Sequence, residues 1–189
     1  MMFKTTMLLV MFTAMGISFT ACSNDDEEKT DDGGNPSTSI SAEQLIGTWE
    51  LTDEYNSQSK MRIPIEEATS ALLEYAEIFI FKTEGICTWF LLQKDIVEDT
   101  YSTAENTFDG GWSLENGILR TDFTQCTTYF VEKDERMTYP YDYRLANYVE
   151  ILNETEIVLY PKESTLNGTT QELSTSASGW GKLYKRVEK

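Results

Sequence analysis

The sequence predicts an all-β domain built as an antiparallel meander of about eight strands. Two observations lead to this fold class. Segments rich in β-branched and aromatic residues recur at strand length, and short turn signals separate most of them. Only one stretch of any length has apolar residues at helical spacing. Because an open meander leaves unpaired edges, we expect the strands to close into a small barrel or to stack as a sandwich.

The folded part begins with a helical turn and a first strand. Ser41 followed by Gln44 matches a capping box, which predicts a single turn of helix. From Trp49 onward, apolar and polar residues alternate as in a half-buried strand. The residues expected on one face are Trp49, Leu51, Asp53 and Tyr55.

One short helix is predicted in the connection after the first strand, over residues 64–76. Pro64 suits the first helical position, and Glu66 and Glu67 suit the N-terminal turn. Apolar residues recur there at helical spacing, giving one apolar face. They are Ile65, Ala68, Leu72 and Tyr75.

Turn signals predict three β-hairpins in the rest of the chain. Asn116-Gly117 is the strongest of these signals, because both residues accept the positive φ of a tight hairpin turn. The others are residues 83–85 and 153–155. Two stretches are predicted to be loops: the tyrosine- and proline-bearing residues 136–143 and the polar residues 162–178. A last strand is predicted over residues 179–188.

The N-terminus has the layout of a secretory signal peptide over residues 1–21. A single lysine precedes the apolar residues 7–19, which are too few to span a bilayer of ~30 Å comfortably. The small residues directly before Cys22 resemble the bacterial lipobox, although Phe19 stands where leucine is usual. The resemblance implies cleavage before Cys22, lipid attachment at this residue and membrane anchoring through the lipid. The alternative is a freely secreted protein with a chance cysteine.

Residues 22–40 are predicted to be a lipidated, acidic and flexible tether. They combine a run of carboxylates with glycine, proline and small hydroxyl residues, and they cannot bury enough apolar surface to fold. The folded domain is therefore expected over residues 41–189. An acidic cluster just behind the cysteine also resembles the surface-export signal of Bacteroidetes lipoproteins. We expect an outer-membrane lipoprotein, either surface-exposed or facing the periplasm.

The composition excludes several classes of function. The chain has 32 acidic and 15 basic residues and a formal net charge of −17, so we expect no nucleic-acid partner. It has no histidine, which removes imidazole-based catalysis and imidazole metal sites, and we expect no metal or cofactor. Cys87 and Cys126 remain beyond Cys22. They form a disulfide or stay as two buried thiols, and the sequence leaves both open.

An enzymatic function finds little support in the sequence. Adjacent carboxylates at residues 66–67, 98–99 and 134–135 are the residue type that glycoside cleavage uses. With 32 acidic residues, however, such pairs arise freely and mostly lie on solvated faces. We therefore expect a protein that is not an enzyme.

Four stretches together resemble the lipocalin-like domains of Bacteroidetes lipoproteins. The opening LIGTWEL carries the Gly-x-Trp signature as Gly47 and Trp49. GWSLENGILRT and YVEILNETEIVL resemble two hairpins of the family, and the closing LYKRV resembles its terminal strand. The resemblance implies an up-and-down β-barrel of the lipocalin or calycin type with about eight strands.

The resemblance also implies how the barrel closes. In lipocalins the tryptophan of Gly-x-Trp seals the closed end, often beneath an arginine from the end of the chain. Carried over, Gly47, Trp49 and Arg186 are structural closure residues, with a cation–π contact worth about 0.5–2 kcal/mol between the last two.

Two functions follow as hypotheses. In the first, the barrel of an envelope-anchored lipoprotein binds a small hydrophobic or glycan ligand, because a barrel of this size can hold one small molecule. The ligand-binding candidates are Trp89, Tyr55, Trp112 and Phe130. In the alternative, the barrel is filled and the protein is a cell-surface interaction module, with the tyrosine-rich residues 139–143 as a docking loop for an unknown protein partner.

Overall fold

A computed structural model of the chain describes residues 40–65, 75–97, 100–173 and 179–188. Within these residues, nearly the whole backbone lies in antiparallel strands. The strands are β1 (Gly47–Asn56), β2 (Arg62–Pro64), β3 (Tyr75–Phe81), β4 (Ile86–Val97), β5 (Thr100–Glu115), β6 (Ile118–Phe130), β7 (Glu135–Asn153), β8 (Glu156–Leu166), β9 (Thr169–Glu172) and β10 (Trp180–Arg186).

Eight of these strands close into a ring. The order is β1, β3, β4, β5, β6, β7, β8 and β10, and β10 pairs with both β8 and β1. Strand β2 adds to β1 and β9 adds to β8, outside the ring. The predicted antiparallel barrel of about eight strands is confirmed.

A single helical turn, α1 (Ala42–Leu45), precedes the first strand as predicted. The Ser41 N–H donates to the side-chain oxygen of Gln44 at 2.9 Å, which is one half of the capping box. The turn places the Leu45 side chain, which is fully buried, beneath the start of β1.

The longer helix predicted over residues 64–76 lies largely outside the described residues, which omit 66–74. Ile65 is helical, but Pro64 belongs to β2 and residues 75–76 belong to β3. The prediction was therefore too long at both ends, because pairing with β1 and β4 draws these residues into the sheet.

The three predicted hairpins are confirmed. Asn116 and Gly117 have φ values of 53° and 73°, as a two-residue type I′ turn requires. A 3₁₀ turn, Thr83–Gly85, joins β3 to β4, and residues 154–155 join β7 to β8.

Both predicted loops were wrong, because each contains strand. Residues 136–143 lie within β7, where Pro140 faces Gln125 next to a register shift in the pairing with β6. A bulge is where a strand tolerates a proline, since the regular ladder of hydrogen bonds is already interrupted. The described part of the second stretch, residues 162–173, includes the end of β8 and all of β9, which meet at a turn of Asn167 and Gly168 with positive φ. Residues 174–178 lie outside the described residues.

A bulge in β1 overturns the prediction that its apolar residues share one face. Leu51 pairs with Tyr184 and Asp53 pairs with Leu183, so β1 contains one extra residue between these pairs. Since side chains alternate along a strand, one extra residue moves the following side chains to the opposite face. Tyr55 therefore lies on the outer face, away from Trp49.

The inner face of the ring forms the main core. Its apolar side chains come from all eight ring strands and from Leu45, and the aromatic rings are in mutual contact. Phe81 stacks on Phe79 at 5.5 Å, Phe79 on Trp89 at 5.7 Å, and Trp89 on Phe108 at 4.6 Å between ring centres. A smaller cluster of Tyr55, Val158 and Leu183 is buried on the outer face.

Candidate functional site

The structure separates the four predicted ligand-binding residues. Trp89 lies in the middle of the lumen, and Trp112 lies in the same core, in tilted contact with Phe81 at 5.4 Å. Tyr55 belongs to the outer cluster, and Phe130, at the end of β6, belongs to neither cluster. Trp89 is thus the one member of the predicted set at the centre of the barrel.

The three predicted closure residues lie together at one end of the barrel, here called the closed end. The Arg186 guanidinium carbon lies 4.5 Å from the centre of the Trp49 ring. Its Nη2 donates to the Gln44 carbonyl at 2.7 Å, and Trp49 Nε1 donates to the Leu45 carbonyl at 2.7 Å. A Cβ added to Gly47 would lie 3.6 Å from Arg186 Nη1, so the glycine sits directly against the guanidinium.

The lumen away from the closed end has a different lining, which we call the polar half. Its side chains carry hydroxyl, carboxylate or ammonium groups and belong to strands on opposite sides of the ring. The residues that define it are Glu77, Thr128, Tyr139, Tyr141, Tyr143 and Lys182.

Three tyrosines of β7 form one wall of the polar half. Tyr139, Tyr141 and Tyr143 follow one another at 6.3 Å and 5.9 Å between ring centres. Tyr139 is 39% exposed, while the other two are half-buried. Tyr141 contacts Phe108 at 5.2 Å and Tyr143 stacks on Trp89 at 6.1 Å, so the row runs from solvent to the central tryptophan.

A buried carboxylate lies on the other side of the lumen. Glu77 is 3% exposed, and its carboxylate accepts hydrogen bonds from Lys182 Nζ at 2.6 Å and from the Tyr184 hydroxyl at 2.7 Å. These partners compensate a charge whose burial would otherwise be costly. The contact links β3 to β10 across the lumen side of β1.

A third polar contact lines the wall beneath Tyr139. The Thr128 hydroxyl donates to the Asn106 side-chain oxygen at 2.7 Å, and it lies 3.2 Å from the Tyr139 hydroxyl. Thr128 is 6% exposed, so this network orients Tyr139 from below.

Trp89 Nε1 is a buried donor with no hydrogen-bond partner among the described residues. The residue is 9% exposed, and its ring is held by Phe79, Phe108, Phe123 and Tyr143. An unsatisfied buried donor costs about 1–3 kcal/mol. Thr121 Oγ1 and Arg186 Nε are likewise buried without a hydrogen-bond partner among the described residues.

Burial tunes the tyrosine hydroxyls of this wall. It raises the pKa of Tyr141 to about 12, and it raises the pKa of Tyr143, where the ammonium of Lys182 opposes the effect. Both hydroxyls are therefore neutral near pH 7 and can donate as well as accept a hydrogen bond.

Sequence reasoning missed most of the polar half. Glu77 and Lys182 are 105 residues apart in the chain, and no local pattern connects them. The three tyrosines stood in a predicted loop because of Pro140, yet their spacing of two residues was a usable signal for one face of a strand.

Two small grooves lie on the outer face. One, of about 150 Å³, lies between Arg120, Arg144 and Glu163, and the other, of about 90 Å³, lies between Glu105 and Arg136. Both are below the roughly 300–1,000 Å³ of typical ligand pockets. The guanidinium of Arg120 is already paired with Glu163 at 3.0 Å.

The part of the chain that the structure describes brings together no group of three or more cysteine or carboxylate side chains that could hold a metal ion. A helix that is long and apolar enough to cross a bilayer is likewise not found there.

No protein family model and no curated protein matches the chain at a significant level.

Proposed function

We propose that the protein is a binding module that takes up one small hydrophobic or glycan ligand in the polar half of the lumen. The barrel is carried on the cell envelope by a lipid at Cys22. The proposal treats the protein as a lipocalin-like lipoprotein that is not an enzyme, with the closed end as scaffold and the polar half as site.

The single observation that carries the proposal is the unpartnered indole nitrogen of Trp89. A ligand with a hydrogen-bond acceptor would satisfy this donor once the surrounding rings open a path to it. The position also suits binding, because ligand sites are mostly aromatic or apolar with a few fixed polar groups. Trp89 supplies the polar atom, and Phe108 and Tyr143 supply the aromatic surface beside it.

Native mass spectrometry of the full-length protein purified from its native host tests the proposal. We expect a co-purified small molecule on the wild-type protein. Trp89→Phe keeps a ring but removes the donor, so it should weaken retention of that molecule by roughly three- to tenfold, the worth of one hydrogen bond.

Trp112→Phe is the matched control, because the Trp112 nitrogen already donates to the Lys82 carbonyl at 2.9 Å. It should leave retention unchanged. A wild-type protein without any bound molecule, or equal effects of the two variants, would contradict the proposal.

Anchoring is tested separately by metabolic labelling with an alkyne-bearing fatty acid. The wild-type protein should take up the label and fractionate with membranes, and Cys22→Ala should lose both properties. Labelling that persists in Cys22→Ala would place the lipid on another residue.

A second candidate, a protein-interaction module, is favoured by the exposed N-terminal part of β7. Residues 135–140 are all exposed, and Met137 is 56% exposed. Pairing with β8 begins only at Tyr143 within the described residues. A photo-crosslinker at Met137 that traps one defined partner on cells, together with a ligand-free native mass, would favour this candidate.

A further inference from the structure

We propose that the ligand of the polar half is a neutral oligosaccharide that stacks on the tyrosine row of β7 and ends against Trp89. This inference rests on the proposed function and selects one of its two ligand classes.

The first support is the shape of the tyrosine row. Tyr139, Tyr141 and Tyr143 present successive rings at separations of 6.3 Å and 5.9 Å, inclined to each other by 78° and 52°. Tyr139 is exposed and the other two are half-buried. A linear sugar offers apolar C–H faces at regular intervals, and aromatic rings are good partners for such faces. Each ring also carries a hydroxyl that can bond to the edge of a sugar.

The second support is the cost of the alternative ligand. An alkyl chain in the polar half would cover the Tyr141 hydroxyl without offering it a hydrogen bond, whereas the Glu77–Lys182 pair is already hydrogen-bonded within the protein. Each buried polar group left unsatisfied costs about 1–3 kcal/mol. The hydroxyls of a sugar pay no such cost, since they replace water in these bonds.

The third support is electrostatic and indicates a neutral sugar. The two opposite charges of the polar half lie 2.6 Å apart and compensate each other. The chain as a whole carries a formal charge of −17, which repels an acidic glycan on approach. A neutral sugar is not repelled by the chain, and it does not need an uncompensated charge in the site.

The experiment is a calorimetric titration of the purified full-length protein with a panel of neutral hexasaccharides of different linkage and with dodecanol as the uncharged apolar comparator. We expect at least one hexasaccharide to bind and dodecanol not to bind. Tyr141→Ala and Tyr139→Ala should each weaken sugar binding by about tenfold, while Tyr141→Phe, which keeps the ring, should lose about threefold or less.

Tyr148→Ala is the matched control, because Tyr148 lies on the outer face of the same strand, 45% exposed and paired with Tyr160. It should bind sugar like the wild type. Circular dichroism of each variant separates loss of binding from loss of fold, and Tyr141→Phe provides a folded reference if Tyr141→Ala unfolds.

The outcomes distinguish the two levels of proposal. Binding of dodecanol without any hexasaccharide overturns the sugar inference and leaves the binding function intact. Sugar binding that Tyr148→Ala reduces as much as Tyr141→Ala also overturns it, because the contact is then not in the lumen. A ligand-free native mass together with no binding of any probe overturns both.

Discussion

The guanidinium of Arg186 covers the ring of Trp49 at 4.5 Å, and the two residues are direct cross-strand partners of β10 and β1. The same arginine reaches the Gln44 carbonyl, and the tryptophan reaches the Leu45 carbonyl. The first helical turn, the first strand and the last strand are thus joined at one point, where the ring is sealed.

Arg186→Met is expected to destabilise the protein by about 2 kcal/mol, because it removes the cation–π contact and a charged hydrogen bond. Urea unfolding measures the change. Arg144→Met is the control, since the Arg144 side chain is 62% exposed and its ion pairs should contribute less than about 1 kcal/mol. Equal losses of unfolding free energy in the two variants would show that the Arg186–Trp49 contact stabilises the protein no more than an exposed ion pair does.

Two neighbouring glycines of β5 should respond differently to alanine. A Cβ at Gly110 would lie 1.9 Å from the Asp122 carbonyl oxygen, whereas a Cβ at Gly111 would lie 3.4 Å from its nearest neighbour, the Gly85 oxygen. We expect Gly110→Ala to cost about 3 kcal/mol or to prevent folding, and Gly111→Ala to cost about 1 kcal/mol or less. Thermal unfolding of both variants checks this order, and a reversed order would contradict the backbone contact.

The Glu77–Lys182 pair of the polar half joins a buried carboxylate to a lysine side chain that is 39% exposed, and the two should show measurable coupling. Lys182→Met leaves the Glu77 carboxylate with one fewer donor in a site that is 3% exposed, so stability should fall by about 2 kcal/mol. Adding Glu77→Gln removes the stranded charge and should restore part of the loss. A double-mutant cycle in urea measures this coupling, and strictly additive effects would show that the two groups do not interact.

The tyrosine wall should make the protein sensitive to alkali. Burial raises the pKa of Tyr141 to about 12, from the ordinary value of 10.0. The folded state therefore holds this proton longer than the unfolded state does, so the stability it contributes is complete below pH 10 and is lost as the pH rises towards 12.

Tyr141→Phe has no such proton, and its unfolding free energy should fall less between pH 10 and pH 12 than that of the wild type. Urea titrations at several pH values in this range provide the measurement. Parallel pH profiles for the two proteins would show that the Tyr141 hydroxyl is not shielded from water.

The two cysteines of the barrel should be unreactive in the native state. Cys87 and Cys126 are free and fully buried, and burial raises the pKa of the Cys87 thiol. Because the thiolate is the nucleophile, iodoacetamide should modify neither residue before the protein unfolds. Peptide mapping with and without urea identifies which of the two cysteines are modified. A disulfide-linked peptide would contradict the structure.

The barrel could be predicted from the sequence, because its turns and its closure residues are marked by short local motifs. Asn116-Gly117 allows little except a tight hairpin turn, and Ser41 and Gln44 define the preceding helical turn within four residues. The hairpin at Asn167-Gly168 has the same chemistry but was missed. The end of β8 and the whole of β9 are polar on both faces, so they lack the alternation of hydrophobic residues that predicts a strand.

The candidate site was less predictable, for two physical reasons. The bulge after Leu51 changes the face of every later residue in β1, and no residue type announces it; this is why Tyr55 was expected beside Trp49. The contact of Glu77 with Lys182 depends on closure of the whole ring, which local patterns cannot encode. Trp89 was predicted as a binding residue, but its free indole nitrogen became visible only with its neighbours in place.

The position of β10 between β8 and β1 makes the connectivity of the barrel circular. The Val187 N–H donates to the Thr48 carbonyl at 2.9 Å, so the polypeptide enters and leaves the barrel side by side. The same barrel can then be built from a chain whose strand order is circularly permuted. A permuted gene that joins residue 188 to residue 40 through a short linker, and starts at Gly117, would encode the same set of neighbouring strands.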